Sequence, residues 1–147
     1  MPLTTQALDD LGDLLFLNTD AANYGDAAGL QNSAAAGSCQ LSLATVDYVV
    51  GDTLMTADEA AYTGYTRPTV ARSGAGWTSV NGAIANAALV QFGEKTAGGD
   101  ETEVAFGMTF IATGDFLQWF GGLTVDRLVS NGTNPQFLTG ALDLTLT

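Results

Sequence analysis

Residues 39–46 read CQLSLATV, and their side chains alternate between apolar and polar along most of the run. Cys39, Leu41 and Leu43 fall on one face of an extended chain and Gln40 and Ser42 on the other, the two-residue period of a half-buried strand. The stretch decides the fold because the hydrophobic period changes there. Upstream, QALDDLGDLLFLN (6–18) repeats Leu8, Leu11 and Leu15 at helical spacing, with Ala7 and Leu14 widening the stripe and Asp9, Asp10 and Asp13 on the opposite face. Thr4 or Thr5 is placed to cap that helix, and Gly12 weakens it by about 1 kcal/mol relative to alanine.

Downstream of residue 39 the extended pattern recurs in YTRPTVARSG (65–74), GWTSVNGAIANAALVQF (76–92), EVAFGMTFIA (103–112), FLQWFGGLTV (116–125), RLVSNGTNPQFL (127–138) and GALDLTLT (140–147). Turn signals separate these runs: Gly74, Asn81-Gly82, Gly98-Gly99, Gly114-Asp115 and Asn131-Gly132. Pro68 confines its strand to a sheet edge or a bulge, because proline has no N–H to give to a ladder. The pattern predicts a mainly β protein, an antiparallel β-sandwich of about seven to eight strands preceded by an N-terminal helix and an extended arm. The boundary is expected between a helix and flexible arm over 1–38 and a β-domain over 39–147.

Sixteen acidic residues face only Arg67, Arg72, Lys95 and Arg127, a net charge of −12. Such a balance disfavours nucleic acid and anionic membranes, both of which draw affinity from clustered lysine and arginine, and favours solubility or a basic partner. No histidine is present, which removes Ser-His-Asp and Cys-His catalysis and most zinc sites. Cys39 is the sole cysteine, so no internal disulfide forms, and its expected place is the core. The start, MPLTTQALDD, lacks the pattern of a signal peptide, and apolar runs stay short of the ~20 residues that span a bilayer.

Candidate chemistry is thin. Asp100, Glu101 and Glu103 in TAGGDETEV read as a solvated hairpin tip, with a calcium loop as the sharper alternative, although the spacing fits no EF-hand. No glycine frame suits a nucleotide, no cofactor is implied, and Ser33, Ser38, Ser73 and Ser79 have no base to activate them. Tyr62, Tyr65, Arg67, Arg72 and Trp77 are residue types enriched at interface hot spots, and equally types that pack a core or cover its edge. Trp119 and Phe120 are adjacent, so a strand points them to opposite faces, and one of them with Phe116 is a candidate contact. The run LQNSAAAGS (30–38) carries side chains too small to bury much area, which makes Leu30, Gln31 and Ala35 candidates for docking against another chain.

Several of these segments together resemble a known family. GDAAGLQNSAAAGSCQLSLATV, DEAAYTGYTRPTVARSGAGWT, ANAALVQF, AFGM and VSNGTNPQFLTGALDLTLT occur in the order found in small tailed-bacteriophage virion proteins, from about residue 25 to the C-terminus. The match departs from the family at CQLSLATVDYVVGD and at Thr66-Arg67-Pro68, where the proline alters the hydrogen bonds that edge can donate. The resemblance implies a structural protein of the virion and no catalysis. Capsid decoration is the first reading, with the phage major capsid protein and two further copies in a homotrimer as partners. A tail or baseplate component, adaptor or fibre-associated, is the second. A carbohydrate-degrading enzyme would need paired carboxylates in an aromatic groove, and the sequence offers no such pair.

Overall fold

The computed structural model describes residues 3–22, 24, 29–110 and 114–146. It is mainly β, with antiparallel sheets and one N-terminal helix. Nine strands lie among the described residues: β1 Ser38–Ala44, β2 Thr69–Ala71, β3 Trp77–Val80, β4 Ala83–Asn86, β5 Val90–Gln91, β6 Glu101–Thr109, β7 Trp119–Val129, β8 Gln136–Phe137 and β9 Asp143–Thr145. They form a four-stranded sheet β2-β1-β6-β7, a three-stranded sheet β3-β4-β9 and a pair β5-β8. Residues 23, 25–28 and 111–112, which belong to the expected loop and the expected end of β6, lie outside the described residues.

The chain divides into two compact units, one of Met1–Gly37, Ala71–Val90 and Phe137–Thr147, the other of Ser38–Val70 and Gln91–Gln136. The first unit joins the N-terminal segment to the β3-β4 hairpin and the C-terminal strand.

In the first unit, helix α1 (Thr5–Gly12) is capped by Thr4, whose hydroxyl accepts from the Ala7 N–H at 3.3 Å. Its last turns widen over Asp13–Leu17, and Asn18 ends it in the left-handed region at φ 56°. Phe16 then buries edge-on against Trp77, ring centroids 5.1 Å apart. Gly12 has a packing reason that its helix propensity hides: a Cβ there would lie 2.6 Å from the Ser79 Oγ of β3. Asn81 and Gly82, both at positive φ (54° and 77°), make the tight β3-β4 turn that their sequence signals. Asn86 locks the neighbouring loops, donating to the carbonyls of Ala88 and Leu138 at 2.7 and 2.9 Å and accepting from the Leu142 N–H at 2.9 Å.

In the second unit, β1 pairs with β6 from Gln40↔Thr109 to Ala44↔Ala105. Strand β2 lies at the sheet edge directly after Pro68, as the missing proline N–H requires, while the Pro68 carbonyl still accepts from the Leu41 N–H at 3.1 Å. Cys39, Leu41 and Leu43 are buried as the alternation predicts. Ser42, expected on the wet face, is buried too. Residues 45–55 fold back over that face: Tyr48 OH lies 3.4 Å from Ser42 Oγ and donates to the Met55 carbonyl at 2.7 Å.

Two sequence expectations are corrected. FLQWFGGLTV and RLVSNGTNPQFL carry the pattern of two separate strands, yet β7 runs unbroken from Trp119 to Val129. Its register against β6 jumps between Glu103 and Ala105, so extra β7 residues bow outward instead of forming a turn. The acidic hairpin tip is likewise not wholly solvated. Strand β6 begins at Glu101, and its two-residue period carries Glu103 into the interior.

Candidate contact surface

Most of the aromatic and basic residues singled out above serve the protein's own interior. Tyr65 OH accepts from the Leu43 N–H at 3.0 Å and donates to Glu59 Oε1 at 2.8 Å. Burial, with the Glu59 carboxylate beside it, raises the Tyr65 phenol far above its ordinary range. Arg67 forks onto both oxygens of Glu59 and reaches Asp115 Oδ1 at 2.8 Å and Gln40 Oε1 at 3.2 Å. Those charge-assisted bonds hold its guanidinium more firmly protonated still. Tyr62 packs edge-on to Tyr65 at 5.2 Å, donates to the Gly93 carbonyl at 2.8 Å, and is pushed up to about 12 by burial and then by Glu103 and Glu101.

Arg72 is equally committed within the first unit. Its guanidinium donates to the carbonyls of Leu15, Leu14 and Ala36 at 2.7, 2.9 and 3.2 Å. It therefore closes the C-terminal end of the helix and ties down the small-residue run at one stroke. That run carries further anchors: Ala21 and Leu30 exchange backbone bonds at 3.0 Å, Asn32 N–H donates to Asp20 at 2.7 Å, and Ser33 N–H donates to Asn18 at 3.0 Å. These bonds hold Leu30, Asn32, Ser33 and Ala36 through their backbone, which needs no large side chain. Leu30, Gln31 and Ala35 themselves remain exposed.

Lys95 is buried over the Tyr62 ring, its Nζ 5.4 Å from the centroid. Near it, Glu103 is fully buried, and desolvation followed by its contact with Glu101 pushes it up to about 8. Three of the four cations, Arg67, Arg72 and Lys95, are thereby turned to internal contacts, while Arg127 is exposed. The outward cations are therefore fewer than the sequence count of four.

What remains outward is apolar. Leu54 and Phe116 oppose each other in an antiparallel bridge bounded by Met55 N–H to Asp115 O at 2.8 Å and Leu117 N–H to Thr53 O at 2.9 Å. Both stay exposed, at 45% and 58%. Val46, Val49 and Val50 on the preceding loop are exposed as well, Val50 at 94%. Trp119 is half-buried and packs edge-on to Phe110 at 6.4 Å, while Phe120 on the other side of the strand is 38% exposed and 6.2 Å from the Tyr48 ring. Phe116 and Phe120 are legible in the sequence as candidate contacts, whereas Leu54 joins them only through its bridge to Phe116, a pairing across 62 residues that no local pattern signals.

Among the described residues no cluster of three or more histidine, cysteine or acidic side chains is arranged to hold a metal ion, and no helix is long and apolar enough to cross a membrane. Comparison with known families places the chain among the tailed-phage virion structural proteins. Residues 21–145 match the family model for podophage GP4 fiber I protein gp80, and the chain belongs to that family. No curated protein matches it.

Proposed function

We propose that the chain is a fibre-associated component of the tail of a phage particle, acting by binding and bridging neighbouring virion proteins. The observation that carries this reading is the family match over residues 21–145, whose description names a fibre protein. It reverses the order suggested by the sequence, in which capsid decoration stood first. The surface supports a binding role in either place: exposed Leu54, Phe116, Val50 and Phe120 lie on a scaffold whose cations other than Arg127 are turned to internal contacts. A component of this kind stabilises the assembled state by its binding free energy, repeated at each copy.

Copy number tests the proposal. Quantitative gels of purified virions, with immunogold labelling, are expected to give a dozen or so copies at the tail. Hundreds of copies spread over the head would replace the tail reading with capsid decoration. Absence of the chain from purified virions would overturn both.

A further inference from the structure

We infer that the apolar face built from the paired segments 46–54 and 115–120 docks a different virion protein, one presenting an apolar centre ringed by lysine and arginine. The inference rests on the virion reading above and names the partner chemistry for it. Leu54 and Phe116 oppose each other on paired backbones, so their side chains stand together on one side of the bridge. The backbone beneath them is held: Tyr48 OH bonds the Met55 carbonyl at 2.7 Å, and Val49 and Asp52 close a turn, Asp52 N–H donating to Val49 O at 2.9 Å and Val49 N–H to Asp52 Oδ2 at 2.7 Å. An apolar surface presented on so fixed a frame loses little ordering entropy on binding, unlike a loose loop.

Charge selects the occupant. The two segments contain Asp47, Asp52 and Asp115 and no lysine or arginine. Arg67, the one cation reaching them, is 13% exposed and bonded to Glu59 and Asp115. A second copy would bring the same acidic rim against this one, and its sole outward cation, Arg127, lies on neither segment. Like charges facing each other oppose association, whereas a basic rim on another protein is drawn in.

The experiment adds purified chain to particles assembled without it and measures binding. Wild type is expected to bind, and to weaken at least about tenfold as salt rises from low to several hundred millimolar, as screening of a charged rim demands. Leu54→Ser with Phe116→Ser is expected to bind about tenfold more weakly. Asp47→Lys, an exposed change outside the apolar pair, is expected to weaken binding too while melting like wild type. It keeps the test sharp if the double variant folds poorly. Retained binding by well-folded variants, or salt-independent binding, overturns the proposal, as does a self-association of the free chain that the double variant abolishes. Failure of the virion reading is distinguishable, because wild type would then bind no particle and be absent from purified virions.

Discussion

The Nε of Arg72 donates to the carbonyl of Leu15 at 2.7 Å, across 57 residues of sequence. With Leu14 and Ala36 also accepting from the guanidinium, one side chain satisfies helix-end carbonyls that have no partner within the helix and fixes the segment after it. Arg72→Ala is expected to destabilise the protein by about 2 kcal/mol, the scale of lost hydrogen bonds to a charged group. Arg72→Lys should recover little, since an ammonium cannot reproduce the fork. Thermal unfolding measures the loss, and hydrogen exchange at Leu30 and Ser33 should quicken in both variants. Unchanged exchange there would show that the arm is held without Arg72.

Glu59 joins Tyr65 and Arg67 in one largely buried network. Glu59→Ala removes the carboxylate and leaves the guanidinium partly buried with fewer partners, at an expected cost of about 3 kcal/mol. Tyr65→Phe, which strips the partner from the Leu43 N–H, should cost roughly 1–3 kcal/mol. Urea unfolding of both single variants and of the double variant should show less than additive loss, because they share the network. Strict additivity would mean that the tyrosine and the carboxylate act independently.

Glu103 gives the protein a particular pH dependence. Its carboxyl titrates near 4.3 when unfolded and at about 8 when folded, so between those values the folded state holds the extra proton. Stability therefore falls as pH rises through that window, and the loss is complete above pH 8. Glu103→Gln keeps the shape and removes the titration. The variant should match wild type most closely near pH 4–5 and gain on it steadily up to pH 8. Melting temperatures of the pair across that range decide the matter, and parallel curves would remove Glu103 from the account.

Gly107 sits in the middle of β6 opposite Ser42, where a Cβ would approach Leu117 Cδ1 at 2.7 Å and Ser42 Oγ at 2.8 Å. Gly107→Ala is expected to cost about 1–3 kcal/mol by overpacking. Gly99→Ala, with nothing within 4 Å of the added Cβ, should be near neutral. Chemical denaturation of the two variants gives the comparison.

Much of the local structure was determined by the sequence alone. The change of period at residue 39, the Asn81-Gly82 turn, the edge strand after Pro68 and the buried Cys39 all follow from backbone geometry and short-range pattern, which act over a few residues. The family resemblance was legible in the order of its motifs. Only the tertiary structure decided which side of each element is covered. Ser42 is buried because Tyr48 folds over it, Glu103 because β6 starts two residues earlier, and β7 is continuous because its excess residues bow out of register. The cations show the same division most sharply. Arg67 and Arg72 have the composition of an interface, yet their partners Asp115 and Leu14 lie 48 and 58 residues away, and only the folded chain brings those acceptors within reach.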